Sequence, residues 1–233
     1  LPKLLSLSLG TSDVRDLGFL EDLSRLRSFW HSNCGAVTDY SPLHRHRTLS
    51  QLSLRACFNL TSLDALPPLR FMRTLGIGDS CLGEGGLDEL CREAPHLSTL
   101  DVSGCDWVTS LRPLTGLPLT DLRLDGCQQA SDFDALRDLP AMELLSLIAT
   151  GISDLEPLRS LSRLSILRLD LCASLNDLRP LASLPRLRNL YITDAAPGLD
   201  LAPLAANRKL TVHIAPGQEV RNAEALGRRL KVA

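Results

Sequence analysis

The sequence predicts an α/β solenoid, an arc with a parallel sheet on its concave face and short 3₁₀ or α elements on its convex face. Three observations carry that expectation. Apolar residues recur at a nearly constant interval, at Leu7, Phe29, Leu52, Leu75, Leu100, Leu122, Leu145, Leu167 and Leu190, separated by 22, 23, 23, 25, 22, 23, 22 and 23 residues. Each lies in an L-x-x-L-x-L pattern, such as Leu49-Ser50-Gln51-Leu52-Ser53-Leu54 or Leu187-Arg188-Asn189-Leu190-Tyr191-Ile192. Between them runs a return segment of the type Asp177-Leu178-Arg179-Pro180-Leu181. A fixed period of this size marks stacked units that bury their apolar faces against their neighbours.

The x-Leu-x triplets read as short strands whose alternation sends leucine inward and its neighbours outward. Leu210 opens a shorter tenth copy, aligned with Leu190. Ten strands at about 4.8 Å each make a sheet about 45 Å long. The return segments Asp39-Tyr40-Ser41-Pro42-Leu43, Ser110-Leu111-Arg112-Pro113-Leu114 and Asp154-Leu155-Glu156-Pro157-Leu158 place a polar residue ahead of a proline, a helix-start pattern. Only about two turns remain before the next strand, so 3₁₀ turns are expected. One copy departs. Gly83-Glu84-Gly85-Gly86 precedes Leu87, Leu90 and Cys91 at helical spacing, which predicts an α-helix over residues 84–94 ended by Pro95. From Ala215 the repeat is lost. The expected organisation is an array of about ten copies over residues 1–214 and a cap over 215–233, with a short helix from Ala223 to Leu230.

Over residues 1–214 this pattern resembles the leucine-rich-repeat family. The copies of 22–23 residues are similar to its protein-phosphatase-regulator-like subclass and the helical copy to its cysteine-containing subclass. The stretch Leu175 to Leu187 and the ending Asp200-Leu201-Ala202-Pro203-Leu204 to Leu210-Thr211-Val212 also resemble the C-terminal arrays of bacterial NACHT-type, NLR-like ATPases. That resemblance implies a sensor or autoinhibitory module in a signalling or defence protein, with the nucleotide-binding motifs outside this chain. The alternatives are a stand-alone scaffold or enzyme-regulatory subunit and a secreted adhesion protein of the internalin type.

Bulk properties narrow the partners. The net charge of -2 gives no electrostatic case for nucleic acid or anionic membrane. No stretch approaches 18 consecutive apolar residues, so no membrane span is expected. Leu1 falls directly into a repeat without a signal or cap ahead of it, which reads as the C-terminal part of a longer protein. Seven cysteines, an odd number, favour a reducing, cytoplasmic setting.

Five of those cysteines explain themselves in register. Cys34, Cys57, Cys105, Cys127 and Cys172 each stand eight residues after the first apolar position of their copy, where the chain leaves the strand. A thiol there is a small buried donor to a neighbouring turn rather than a disulfide or metal ligand. His31 near Cys34 suggests a nucleophile pair, but its register makes it a core histidine. Gly76, Gly78 and the glycines ahead of the helix lack the Gly-Lys-Ser/Thr end of a phosphate loop. The run His44-Arg45-His46-Arg47 reads as a solvated link. No metal, cofactor or catalytic residue is expected, and the chain is read as not an enzyme.

What remains is the outward face of the strands. Trp30 is one aromatic in a lane of serines. Arg123 and Asp125 carry charge in the middle copies, where nearby acids are expected to satisfy the arginine. In the last third Leu144, Ile148, Ile166, Leu171 and Tyr191 join Arg168 and Asp170, a contiguous apolar and arginine-bearing composition suited to protein contact. Another domain of the same protein or a foreign protein is the expected partner.

Overall fold

The computed structural model describes residues 3–10 and 13–232. Leu1 and its place at the start of a repeat lie outside the described residues. The chain divides into two compact units, Leu1–Val108 and Thr109–Ala233.

The first unit holds strands β1 (Ser6–Ser8), β2 (Ser28–His31), β3 (Gln51–Leu54), β4 (Thr74–Ile77) and β5 (Thr99–Asp101), all parallel and paired in chain order. Their central residues stack in register: Leu7 on Phe29, Phe29 on Leu52, Leu52 on Leu75 and Leu75 on Leu100. From Phe29 onward these are fully buried. In the second unit β6 (Asp121–Arg123), β7 (Leu144–Ser146), β8 (Ile166–Arg168) and β9 (Asn189–Tyr191) repeat the arrangement, again with every pair parallel. Two-residue β10 (Leu199–Asp200) follows, and then β11 (Thr211–Ile214), which lies beside β9. Val212, not Leu210, stands opposite Leu190. The last coil is one residue tighter after its first leucine than the L-x-x-L spacing assumed, which corrects the register taken from sequence.

The return limbs are 3₁₀ turns, among them Ser41–Arg45, Glu156–Ser160, Arg179–Ser183 and Ala202–Leu204. Each buries a proline-following leucine: Leu43, Leu158, Leu181 and Leu204. The residue at the cap is itself apolar and buried (Tyr40, Leu155, Leu178, Leu201), and the polar group comes one position earlier. The backbone N–H groups of Ser41, Glu156, Arg179 and Ala202 donate to Asp39, Asp154, Asp177 and Asp200 at 2.8–2.9 Å. Bonds from Ser41 hold the Asp39 carboxyl below the usual carboxylate range, and bonds from Arg179 do the same for Asp177.

The inserted helix is α1 (Gly86–Glu93), set against the 84–94 read from sequence. Gly85 takes the left-handed conformation (φ 80°) that turns the chain into it. A Cβ on Gly86 would lie 2.9 Å from the Leu82 Cβ and 3.2 Å from Trp107 Cε3, so that glycine is there for close packing. Trp107 is held by its indole N–H, which donates to the Ser80 carbonyl at 2.9 Å.

Beyond Ile214, β12 (Val220–Arg221) pairs with β10 in a separate two-stranded sheet. Residues Ala223–Ala225 and Gly227–Arg229 form two 3₁₀ turns where one short helix was expected. β13 (Leu230–Val232) then pairs with β11. The Arg229 guanidinium ties this last coil down by donating to the carbonyls of Asn207 (2.6 Å), Ala205 (3.2 Å) and Ala225 (3.0 Å).

Candidate protein-binding face

Leaving each strand, the chain must reverse its course, and the structure does so with left-handed residues at one repeated position. Ala56, Asp79 and Gly104 in the first unit, and Gly126, Ala149, Leu171 and Asp194 in the second, have φ between 52° and 73°. Two of the seven are glycine. The sequence signal is faint, the pairs Gly104-Cys105 and Gly126-Cys127. The following thiol ties the turn to a neighbouring coil: Cys57 donates to the Gly78 carbonyl at 3.2 Å, and Cys172 to that of Leu147 at 3.2 Å. The cysteines are thus scaffold. Burial pushes the Cys34 thiol up to about 12 despite the His31 ring 3.2 Å away, the opposite of what a thiolate nucleophile requires.

Of the ten face residues singled out from sequence, Trp30 lies in the first unit and the other nine in the second. Trp30 is 38% exposed between Ser8 and Ser53 of the flanking strands. In the second unit, Arg123, Asp125, Leu144, Ile166, Arg168 and Tyr191 line one groove of about 300 Å³, together with Ser146, which sequence reasoning passed over. Leu144, Ile166 and Tyr191 are partly exposed and Arg123 and Arg168 are exposed.

The two acids do different work from the one expected. Asp125 accepts the Ser146 hydroxyl at 2.5 Å and the Ile148 backbone N–H at 3.1 Å. Asp170, only 6% exposed, accepts both the hydroxyl (2.5 Å) and N–H (2.9 Å) of Thr193. Each aspartate staples its turn to the next coil, so Asp170 is not an open contact residue. Ile148 sits on the same edge, its N–H already engaged. Nor is Arg123 satisfied by its neighbours. Asp121 accepts from Thr120 at 2.7 Å, Asp125 commits Oδ1 to the two bonds above, and no ion pair or hydrogen bond reaches Arg123 among the described residues. Arg168 uses Nε on Asp170 (3.4 Å) and lays its guanidinium over Tyr191, 5.1 Å from the ring centroid.

Sequence reasoning also missed His213, which stacks on Tyr191 with centroids 4.3 Å apart and 12° between planes. The misplaced register of the last coil hid it: with Leu210 taken as central, His213 falls off the strand. The His44–Arg47 run holds a second surprise. His46 is buried at 4% exposure in a position that Leu161 and Leu184 occupy in other coils, and neither ring nitrogen makes a hydrogen bond of standard geometry. Among the described residues no group of three or more His, Cys, Asp or Glu is placed to hold a metal ion. No helix of the described residues is long and apolar enough to cross a membrane.

Parallel strands in chain order, buried leucines in register and 3₁₀ return limbs decide the architecture. The fold is the leucine-rich-repeat fold. No protein-family model matches the chain. Among solved structures it is similar to internalin C2 of Listeria monocytogenes (TM-score 0.52, 18% identity, 98% of this chain and 80% of that one). A second Listeria internalin, inlF, superposes with TM-score 0.69 at 19% identity over 96% of this chain and 72% of that one. A leucine-rich-repeat protein of Leptospira interrogans gives 0.69 at 18% identity over 100% and 61%. At these identities the likeness is one of fold. In sequence, 107 residues are 32% identical to a Trypanosoma equiperdum protein named an adenylate cyclase regulatory protein. The match takes in 45% of this chain and 13% of that protein.

Proposed function

We propose that this leucine-rich-repeat chain recognises another protein through the outward face of β6–β9. The groove that brings two arginines, two aliphatic side chains and a tyrosine together is the observation that carries this reading. Arg and Tyr beside aliphatic side chains is the composition of an interface hot spot. The test is capture of a partner from source lysate, its identification by mass spectrometry and reconstitution with purified proteins. Ile166→Asp and Tyr191→Asp should each abolish binding while leaving the circular-dichroism spectrum intact. Reconstituted binding that survives both changes contradicts the proposal.

In the finer form, residues 1–214 are the sensing or autoinhibitory array of a NACHT-type signalling or defence ATPase, with residues 215–233 closing its end. The Asp-Leu-Arg-Pro-Leu return limbs favour it. The face then meets either another domain of the same protein or a foreign ligand. The 32% identity to a protein named as a cyclase regulator favours a second reading, an enzyme-regulatory scaffold. The sequence of the full-length gene product separates them: Walker motifs support the first, a longer array without them the second. A reducing, cytoplasmic location fits both, since all seven cysteines are free and six are buried.

A further inference from the structure

One row of outward side chains crosses the second unit in strict register: Arg123 beside Ser146, Ser146 beside Arg168, Arg168 beside Tyr191, Tyr191 beside His213 and His213 beside Lys231. The row holds two arginines, a lysine and a histidine, and no carboxylate. The acids on its C-terminal side, Asp125 and Asp170, are bound into the staples. Arg123 has no partner among the described residues, and Arg168 spends only Nε, which leaves its terminal nitrogens for a ligand. On the N-terminal side lie Leu144 and Ile166, the apolar wall of the groove, and beside Leu144 the carboxylate of Asp121, which accepts the Thr120 hydroxyl.

We propose that this row binds an acidic segment in extended, polyproline-II-like conformation, lying across the strands with one carboxylate on Arg123 and a second, three residues on, at Arg168. Two strand spacings of about 4.8 Å put the arginines about 10 Å apart. A polyproline-II segment rises about 3.1 Å per residue with three residues per turn, so every third side chain lies on one edge at about 9.3 Å. An aliphatic residue between the two acids then faces Leu144 and Ile166. Arginine's fork suits a carboxylate, and Arg168 is already oriented by its stacking on Tyr191. A single-stranded nucleic acid, the other ligand drawn to cations and a ring, needs a succession of stacking platforms. Tyr191 and His213 are already stacked on each other, and Tyr191 is the one ring among the residues that line the groove.

This proposal rests on the reading of the face as protein-binding, and its test separates the two. A fluorescein-labelled proline-rich peptide with two glutamates three residues apart and a leucine between them is titrated with the whole chain. Fluorescence anisotropy should report binding that weakens about tenfold in Arg123→Gln and weakens again as salt rises. It should disappear when both glutamates are glutamine, and Arg159→Gln on the return limb should change nothing. Equal binding of the glutamine peptide, wild-type affinity in Arg123→Gln, no binding at all, or tighter binding of an oligothymidylate each overturn it. If Ile166→Asp abolishes binding of the reconstituted partner while Arg123→Gln leaves that binding unchanged, the face recognises protein and the acidic ligand alone is wrong. If neither change affects that partner, both readings fall.

Discussion

His46 places an ionisable ring where the repeat calls for leucine. Burial holds its pKa below the ordinary value, a pull partly opposed by the nearby Leu20 backbone. The folded state therefore binds fewer protons there than the unfolded chain, whose histidine titrates near about 6.5. The fold is supported above that pH and loses stability as pH falls through it. His46→Leu should raise stability at neutral pH by about 1 kcal/mol by removing buried unbonded nitrogens. It should also flatten the pH dependence below about 6.5. Urea unfolding at a series of pH values checks both, and an unchanged slope would assign the acid sensitivity elsewhere. Leu171 is the other misfit, a leucine 53% exposed and held at φ 60°. A left-handed residue with a Cβ is strained by about 1–2 kcal/mol, against the roughly 0.5–1 kcal/mol entropic cost of glycine. Leu171→Gly should leave the unfolding free energy from urea titration unchanged or raise it by up to about 1 kcal/mol, whereas a loss of more than that would show its side chain to be part of the packing.

At the scale of elements, the strand-exit turns and the helix α1 set the geometry. Gly86 shows why the inserted copy tolerates no larger residue. Alanine is the better helix former by about 1 kcal/mol, but its methyl would press on Leu82 and Trp107, neither of which is a flexible tip. Overpacking of this kind costs about 1–3 kcal/mol. Gly86→Ala should therefore lower stability by about 1 kcal/mol and shift the Trp107 emission, and a stabilised variant would contradict the contact. The turns explain what sequence reading could and could not see. A leucine period is a one-dimensional signal, so the strands, the 3₁₀ limbs, the core position of His31 and the scaffold cysteines were legible from it. The partner of a side chain one coil away was not. Whether Asp125 and Asp170 face a ligand or bind Ser146 and Thr193 depends on the stacking distance between coils and on a left-handed turn that alanine and leucine give no warning of.

For the whole molecule, the consequence is a division of labour by register position. The inward leucines and thiols stack, the aspartates at the strand exits join coil to coil, and the outward row left over in the second unit is cationic and aromatic. The site was half legible: composition pointed to Leu144, Ile166, Arg168 and Tyr191, while His213 emerges only with the true register of β11 and Lys231 only with β13, where the sequence was read as a cap. The claim that recognition runs through this face is tested most directly by a hydrogen-exchange footprint, with the purified chain compared alone and saturated with its reconstituted partner. Slowed exchange should fall on segments 121–126, 144–149, 166–171 and 189–194, with the return limbs Phe133–Asp138, Glu156–Ser160 and Arg179–Ser183 unchanged. Protection confined to those limbs would contradict the account.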